Sequence, residues 1–255
     1  MARNQKDYFY HKAKNEGYRS RASYKLRQIN EKHQIIKPGD SVVDLGAAPG
    51  GWLQMAKELS GGRVVGVDLQ KIDPIEGVET MKGDITSEKT LKRIEEIIGE
   101  QGADAVICDA APNLTGNWSL DHGRSIDLCQ SALNLATQLL MPGGNFVVKV
   151  FQGDLFKDFL DEVKEHFVYV RSYTPKASRK QSAEIYVIGK KFLSSKLKKG
   201  QKYDVVIREI GEKRDGIAKI DDFVVFIKNG KIGQQVRVRI REVQPNFAFA
   251  DIIEE

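Results

Sequence analysis

The sequence has few of the residues that cross-link a chain, bind metals or anchor it in a membrane. Among its 255 residues are only two cysteines, Cys108 and Cys129, both in apolar surroundings. This argues against a disulfide framework or a zinc cluster and indicates a reducing compartment. The four histidines show no metal-ligand spacing, and no run of about 18 apolar residues predicts a membrane-spanning helix. Residues 1–21 lack the apolar segment of a secretory signal.

The remaining composition is that of a globular protein, with an uneven distribution of charge. Hydrophobic residues make up 41% and the net charge is +5. Residues 1–40 carry ten Lys/Arg against four Asp/Glu, residues 171–202 carry ten against one, and residues 41–170 carry 11 against 20. Basic blocks of this kind favour a polyanion, most often nucleic acid, although a solvated surface has the same pattern. Interleaved aromatic residues in the first block favour base stacking: Tyr8, Phe9, Tyr10, Tyr18 and Tyr24.

Apolar segments typical of strands alternate with segments of helical period from Ser41 to about Gly189. This order predicts an α/β fold, in which helices cover both faces of a parallel sheet. Helices are predicted over residues 20–34, 51–60, 87–99, 125–141 and 154–166, and Pro142-Gly143-Gly144 is expected to end the fourth. The stretches VYVRSYTP and EIYVIGKKF are predicted to form an antiparallel pair at the edge of the sheet.

The character of the sequence changes after Lys190. A basic linker, KKFLSSKLKKG, leads into short strand-like segments separated by turns and without a helical period. They predict a small all-β barrel, and the chain is divided into two domains, residues 1–190 and 191–255. The strand-like segments are KYDVVIREI, GIAKIDDFVVFIK, QQVRVRIREV and FAFADII.

A glycine-rich loop follows the first predicted strand and opens a helix, within DLGAAPGGW at Asp44–Trp52. Glycines at this place in a doubly wound sheet allow a ligand to approach the backbone closely. Asp68 ends the second strand, 22 positions after Gly46, which suits a carboxylate that accepts from ribose hydroxyls. No phosphate-binding lysine follows, and Asp44, Asp68 and Asp84 would repel a pyrophosphate. The pattern favours S-adenosyl-L-methionine over a dinucleotide, with a plain strand–helix turn as the alternative.

Charged residues also occur in predicted strands or at their ends. Lys149 interrupts FVVKVF, where a buried amine needs a partner unless it reaches solvent at the strand's carboxyl end. Asp109 ends VICD, in the strand expected beside the first one. Glu184 opens EIYVIG after a basic loop, with which it could simply form an ion pair. Lys25, on the first predicted helix, could equally be a solvated side chain.

Taken together, these segments resemble the FtsJ-like family of ribosomal RNA ribose 2′-O-methyltransferases. The resemblance rests on SRASYKL, DLGAAPGGW, GVDL, DAAPN, VVKVF and RKQSAEIYVIG and covers about residues 1–190. It implies a Rossmann-like, S-adenosyl-L-methionine-dependent methyltransferase fold. It also implies a catalytic Lys-Asp-Lys-Glu tetrad, which falls on Lys25, Asp109, Lys149 and Glu184. The cofactor contacts that it implies fall on Gly50, Trp52, Asp68, Asp84 and Asp109.

Residues 193–252 resemble a TRAM domain, a small OB-like RNA-binding barrel, through GQKYDVVI, GIAKIDDFVVFI, Gly233 and FAFADI. The combination resembles archaeal proteins. It implies methylation of a uridine ribose in large-subunit ribosomal RNA, in the cytoplasm, with rRNA or a ribosomal subunit as the partner and without a membrane or a metal ion.

In that chemistry Lys149 is the expected proton acceptor for the ribose 2′-hydroxyl. A lysine can act as a base when burial or a neighbouring cation favours its neutral form, and Lys25 is the candidate neighbour. Asp109 would orient the Lys149 amine, and Glu184 would hold Lys25 or the ribose. The alternatives are an RNA-binding ribosome assembly factor, a 2′-O-methyltransferase acting on tRNA and a methylase of small molecules. The intact tetrad and loop argue against the first, and the basic blocks and barrel argue against the last.

Overall fold

The computed structural model of the protein describes residues 8–179, 182–195, 197–211, 214–221 and 223–253. Parts of the basic blocks, namely residues 1–7, 180, 181 and 196, lie outside these ranges. The helices are α1 (Tyr8–Asn15), α2 (Ser23–His33), α3 (Gly51–Ser60), α4 (Glu88–Ile98), α5 (Trp118–Leu139) and α6 (Phe156–His166).

Within the described ranges, seven strands form a sheet in the first part of the chain. They are β1 (Val42–Leu45), β2 (Val64–Asp68), β3 (Glu79–Lys82), β4 (Ala103–Cys108), β5 (Leu140–Phe151), β6 (Phe167–Tyr173) and β7 (Glu184–Phe192). Their spatial order is β3-β2-β1-β4-β5-β7-β6. The five strands from β3 to β5 are parallel, and β7 runs antiparallel to both β5 and β6. The predicted α/β fold is confirmed.

Helices cover both faces of this sheet, as the alternating sequence predicts. One apolar core includes residues of α4, α5 and α6, and the other includes residues of α2 and α3. The strands β1 and β4 are almost wholly buried, which explains their continuous apolar sequences. The sheet therefore places α2 and the loop before α3 on one side of the strands' carboxyl ends, with α5 on the other.

The predicted antiparallel pair at the edge of the sheet is confirmed, since β6 is the edge strand and pairs antiparallel with β7, which lies between β5 and β6. Two other details of the first domain differ from the prediction. The helix α5 begins at Trp118, seven residues before the predicted start, with the side chain of Asn117 accepting a hydrogen bond from Leu120 N at 3.3 Å. It ends at Leu139, and β5 starts at once, so Pro142-Gly143-Gly144 lies in an irregular stretch of the β4–β5 ladder.

The second sheet contains β8 (Lys202–Val206), β9 (Glu209–Ile210), β10 (Gly216–Ile220), β11 (Phe223–Ile227), β12 (Gln235–Val243) and β13 (Phe247–Ile252). Its order in the described residues is β8-β12-β13-β11-β10-β9. The two edge strands, β8 and β9, are separated by only Ile207 and Arg208, so the sheet must curl until its edges come close. Ile207 is fully buried at this seam, and the sheet encloses its own apolar core. The predicted small all-β domain is confirmed.

Two predicted strands of this domain are broken. KYDVVIREI is divided between β8 and β9, and GIAKIDDFVVFIK is divided between β10 and β11. The second break falls at Asp221, whose φ is 48°, so the chain turns and β10 pairs antiparallel with β11. Asp222, in the same segment, lies outside the described residues.

Candidate active site

A cleft of about 640 Å³ lies at the carboxyl ends of β1, β2 and β4, where ligands bind in open parallel sheets. Its volume is within the range of small-molecule sites. Three of the predicted cofactor residues line it, namely Asp68, Asp84 and Asp109. The wall also includes residues that the sequence did not single out: Leu69, Gln70, Ile85, Thr86, Asn113, Arg124, Asp127 and Ser131.

The glycine-rich loop forms part of this wall through close backbone packing. Gly46 lines the cleft and has a φ of 71°, and a Cβ at this position would collide with Ala110 in the loop after β4. Gly51 begins α3, and a Cβ there would collide with the side chain of Ser20. The side chain of Ser23 donates to the carbonyl of Gly51 at 2.8 Å. These contacts fix the loop against both β4 and the start of α2.

Asp68 connects the end of β2 to the glycine-rich loop. Its Oδ2 accepts from Ala48 N at 2.9 Å, and its Oδ1 accepts from Gln70 N at 2.7 Å. Because each carboxylate oxygen has a further lone pair, Asp68 can still accept from a ligand hydroxyl. Asp84, across the cleft, accepts from the backbone N–H and the hydroxyl of Thr86, which lower the pKa of Asp84. Both carboxylates are thus held in place by backbone donors.

Gly50 and Trp52 do not line this cleft. Gly50 has a φ of 108° and lies beside Ile75 and Arg19. The indole of Trp52 is buried, donates to the carbonyl of Ala22 at 2.9 Å and stacks on Tyr186. Trp52 thus packs α3 against the start of α2, and a cofactor contact at either residue stays a prediction.

Asp44 differs from the expectation that it adds negative charge to the cleft. It is fully buried on β1, and neither carboxylate oxygen has a hydrogen-bond partner among the described residues. Burial raises the pKa of Asp44 well above its usual range, and the charges of Asp109 and Asp68 raise it further. The protonated form is favoured because no donor compensates the buried charge.

The predicted tetrad residues Lys149 and Asp109 are in direct contact. The Nζ of Lys149 lies 3.2 Å from Oδ1 of Asp109 and donates to its backbone carbonyl at 2.6 Å. These strands, β5 and β4, are neighbours, so the contact follows from the sheet order. Asp109 also lines the cleft, which places the Lys149 amine directly behind one of its walls.

The other two predicted tetrad residues form a second ion pair. The Nζ of Lys25, on α2, lies 2.7 Å from Oε1 of Glu184 at the start of β7, and both side chains are about nine-tenths buried. Although burial raises the pKa of Glu184, the charge and the hydrogen bond of Lys25 outweigh it and the pKa is lowered. Lys149 also contributes to this lowering, so the two ion pairs share one electrostatic environment.

Tyr186 connects the two pairs, although its role was not predicted from the sequence. It lies opposite Lys149 in the β5–β7 ladder, and its hydroxyl donates to Oδ1 of Asp109 at 2.6 Å. The Nζ of Lys25 is 5.8 Å from the centre of its ring. Burial, followed by the charges of Asp109 and Glu184, raises the pKa of Tyr186 and keeps the phenol protonated. The sequence could have indicated this role, because Tyr186 lies two residues after Glu184 and therefore on the same face of the strand.

A second cleft, of about 370 Å³, is positively charged. Lys37, Lys190 and Lys191 line it together with residues 244–247 of the second domain. Burial lowers the pKa of Lys190, and the charges of Lys37 and Lys191 lower it further. Three cations in one cleft give it a positive potential, which attracts anions.

In the part of the chain that the structure describes, no helix is both long enough and apolar enough to cross a membrane. The same residues contain no cluster of three or more His, Cys, Asp or Glu side chains able to hold a metal ion.

The chain is similar to known proteins over its whole length. Residues 18–192 match the FtsJ-like methyltransferase family, and residues 196–253 match the TRAM domain. A protein of Methanosarcina mazei named "Ribosomal RNA large subunit methyltransferase E" is 65% identical, over 100% of this chain and 95% of that protein. A protein of the same name from Methanocella arvoryzae is 62% identical, over 100% of this chain and 99% of that protein.

A solved structure is similar to the first domain. It is a crystal structure from Plasmodium falciparum described as a ribosomal RNA methyltransferase, with a TM-score of 0.63 and 29% identity. The match covers 69% of this chain and 98% of that one.

Proposed function

Because this chain belongs to the FtsJ-like methyltransferase family and carries a TRAM domain, we propose that it methylates the 2′-hydroxyl of a uridine ribose in large-subunit ribosomal RNA. The methyl donor in this proposal is S-adenosyl-L-methionine. The observation that carries it is the pair of buried ion pairs, Lys149–Asp109 and Lys25–Glu184, the first of which includes Asp109 of the cleft wall. The names of the archaeal relatives support large-subunit rRNA as the substrate class.

The volume and the polar groups of the cleft support S-adenosyl-L-methionine as its ligand. Gly46 and Ala48 of the loop line the cleft, so a ligand there can contact the loop. Asp68 would accept from the ribose hydroxyls of the cofactor, and Asp84 would accept from the amino group of its adenine. Leu69, with 65% of its surface exposed, and Ile85 supply apolar area for the adenine ring. When bound, the cofactor supplies an electrophilic methyl group on a sulfonium.

The proton of the substrate hydroxyl would be taken by the neutral amine form of Lys149 at Nζ, which contacts both Oδ1 and the carbonyl of Asp109. These two contacts fix the position of the amine relative to the wall of the cleft. Tyr186 would in turn hold Oδ1 of Asp109 through its own hydrogen bond. As the proton moves to Nζ, the ribose oxygen forms its bond to the methyl carbon, the carbon–sulfur bond of the sulfonium breaks, and a neutral thioether is released. A fixed arrangement of this kind accounts for much of the rate of a bimolecular transfer.

The Lys25–Glu184 pair would act beside this transfer. Glu184 accepts from Lys25 at 2.7 Å, and the lowered pKa of Glu184 keeps the carboxylate ionised. The ammonium of Lys25 is then a fixed cation near the ribose site. We assign it the role of stabilising the substrate oxygen as its proton is removed.

The basic surfaces would bind the RNA. The guanidinium of Arg21 donates to the carbonyl of Ala177 and lies close enough to Arg179 for the two charges to interact, next to Glu184. The lysine cleft at Lys37 and Lys190 would hold a second stretch of backbone, where the first domain meets residues 244–247. A TRAM domain beside this cleft would extend the contact by charge and stacking.

The test is methyl transfer from S-adenosyl-L-methionine carrying a labelled methyl group. The acceptors are large-subunit rRNA, large ribosomal subunits and tRNA, each prepared from cells that lack this protein, followed by mapping of the modified ribose. We expect one uridine 2′-O-methyl group in large-subunit rRNA. Transfer to tRNA alone would contradict the substrate class. RNA binding without transfer to any acceptor would favour an assembly factor.

Two further parts of the proposal depend on this result. Action on large-subunit rRNA would take place in the cytoplasm. The proposed division into domains of residues 1–190 and 191–255 predicts that methyl transfer chemistry resides in the first domain. Every residue that lines the cofactor cleft precedes residue 132.

A further inference from the structure

We infer that Trp118 and Phe151 form a stacking platform for an unpaired base of the RNA, next to the ribose that is methylated. The inference rests on the proposed RNA methyltransferase function. It adds a substrate-positioning surface that lies outside both the tetrad and the cofactor cleft.

The platform lies beside the tetrad because of the register of the sheet. Phe151 lies directly opposite Glu184 in the β5–β7 ladder and two residues after Lys149 on the same strand. Residues opposite each other, or two apart, point to the same face of a sheet. Phe151 is therefore the next side chain beyond the tetrad at the carboxyl end of β5. The indole of Trp118 stacks on it, with ring centres 6.2 Å apart and an angle of 26°.

Trp118 is exposed although its position is fixed. About half of its surface, 51%, is open to solvent. The ring of His122, which is buried, stacks against it at 6.1 Å and 11°. His122 Nε2 accepts from Leu155 N at 3.2 Å, and Gly153 approaches the same ring so closely that a Cβ would collide with it. The loop after β5 and the first turn of α5 are thus joined through His122.

The loop before Trp118 is also held by specific contacts. One oxygen of Asp121 accepts from the backbone N–H and the hydroxyl of Thr115, each at 2.8 Å, and the other accepts from Gly116 N at 3.1 Å. Asn117 caps α5 through Leu120 N. An exposed aromatic side chain held in this way can bind a planar ligand without a large loss of side-chain entropy.

A nucleobase is the occupant that the surroundings favour. The register of β5 and β7 places Phe151 next to the tetrad, and an aromatic face binds any base by stacking. Cationic side chains for the neighbouring phosphates are close to the tetrad, since the charge of Arg21 interacts with both Glu184 and Arg179. Single-stranded RNA is commonly recognised through unstacked bases that stack on aromatic side chains.

The first experiment separates binding from chemistry by comparing Trp118→Ala, Trp118→Phe and Val168→Ala in the full chain. Val168 is also an exposed apolar residue, with 42% of its surface open, but it lies near the start of β6 at the opposite end of the sheet. For Trp118→Ala we expect the KM for large-subunit rRNA to rise about 5- to 100-fold, as for loss of one stacked base. The kcat at saturating RNA and the affinity for S-adenosyl-L-methionine should stay within about threefold. Trp118→Phe and Val168→Ala should behave like the unaltered protein.

The second experiment observes stacking directly and does not require activity. The sequence has two tryptophans, and Trp52 is buried, so a fluorescence change on adding a large-subunit rRNA fragment reports on Trp118. We expect quenching that is lost in Trp118→Phe, although that variant still binds the RNA. If the RNA has an abasic nucleotide next to the methylated ribose, the Trp118→Ala substitution should cause no further loss of affinity.

An unchanged KM in Trp118→Ala, or RNA binding without quenching, would overturn the inference while leaving the proposed function intact. A protein that quenches with RNA but transfers no methyl group would instead overturn the proposed function. Equal losses in Trp118→Phe and Trp118→Ala, accompanied by a lower unfolding temperature, would also overturn the inference, because they indicate a purely structural role.

Discussion

The hydroxyl of Tyr186 donates to the same oxygen atom of Asp109, Oδ1, that forms the ion pair with Lys149. Asp109 is therefore held from two sides, and its position relative to the amine depends on both. A hydrogen bond to a charged group contributes about 1.5–3 kcal/mol. The phenol is a structural part of the proposed catalytic site.

We expect Tyr186→Phe to lower kcat by about tenfold or more. The variant loses a hydrogen bond worth about 1.5–3 kcal/mol, and a loss of this size in transition-state stabilisation lowers a rate at least about tenfold. The KM for S-adenosyl-L-methionine should change little, because Tyr186 does not line the cleft. Steady-state kinetics of methyl transfer measure both. A matched control is Tyr169→Phe, since Tyr169 is an exposed residue on β6. An unaltered kcat in Tyr186→Phe would mean that Lys149 alone positions Asp109.

Lys149→Ala should bind S-adenosyl-L-methionine normally but transfer methyl groups at least about 100-fold more slowly, the usual contribution of a general base. Binding should persist because the lysine lies behind the wall of the cleft and not in it. Calorimetry measures the affinity for S-adenosyl-L-methionine, and transfer of a labelled methyl group measures the rate. Lys164→Ala, which removes an exposed lysine paired with Asp161, is the control. If Lys149→Ala transfers methyl groups at the normal rate, another group accepts the proton of the ribose 2′-hydroxyl.

Asp68→Ala should weaken binding of S-adenosyl-L-methionine by about 1.5–3 kcal/mol, because a charged acceptor for the ribose hydroxyls is removed. The substitution also removes the hydrogen bond with Ala48 N, so the loop is affected as well. Isothermal calorimetry measures the affinity, and thermal unfolding shows whether the fold is retained. The control is Glu76→Ala, which changes an exposed residue between β2 and β3 and should bind S-adenosyl-L-methionine normally. Unchanged affinity in Asp68→Ala would exclude this residue from the cofactor site.

Asp44→Asn should change how stability depends on pH. The folded-state pKa of Asp44 is raised, so its contribution to stability is complete below the ordinary pKa of 3.8 and is lost as the pH rises through the raised value. Asparagine does not ionise, so the variant should become more stable relative to the unaltered protein as the pH increases above about 4. Chemical denaturation between pH 4 and 8 measures this difference. If the stability of the variant and that of the unaltered protein change with pH in the same way, Asp44 is not stabilised in its protonated form.

A chain that ends after Ser195 should fold and bind S-adenosyl-L-methionine normally, but should bind rRNA more weakly. The apolar core of the second domain is separate from the apolar clusters of the first, and β7 is complete at Phe192. The slope of log affinity against log salt should also fall, by about 0.7–0.9 for each phosphate that the shortened chain no longer neutralises. Calorimetry and RNA titrations at several salt concentrations test these points. If RNA affinity and slope are unchanged, the second domain does not bind this RNA.

Three arginines on β12 provide a test of which part of the second domain contributes to RNA binding. Arg237, Arg239 and Arg241 are exposed on one face of the strand, as their alternation predicts. Arg237 lies 3.5 Å from Asp204, and Arg241 lies 3.3 Å from Asp251, so nearby carboxylates offset part of their charge. We expect replacement of all three by alanine to weaken RNA binding less than the truncation does. An equal loss would assign the effect to this face rather than to the linker lysines.

Much of the fold follows from the sequence because strands and helices alternate with clear periods. The early start of α5 does not, since the segment from Trp118 to Arg124 is largely polar and without a helical apolar pattern. The internal place of β7 was also not predicted. Strand order depends on how the chain returns to the sheet, which periodicity does not specify.

The site was predicted in part. Lys149 and Asp109 lie at the ends of neighbouring strands, so their proximity follows from the topology. The contact of Lys25 with Glu184 joins α2 to β7, which are far apart in sequence, and only the resemblance to a family suggested it. The orientation of Trp52 toward Tyr186 rather than toward the cleft depends on how α3 packs against α2. No local pattern contains that information.

The seam between β8 and β9 limits how the second domain can meet a partner. Most open sheets have two free edges, where another chain can add a strand through backbone hydrogen bonds. Here consecutive segments of one stretch of chain occupy both edges, and β9 is only two residues long. The edge at β9 therefore offers little backbone for pairing with a foreign strand. This favours recognition of ligands by the side chains on the faces of the domain and disfavours aggregation through β9.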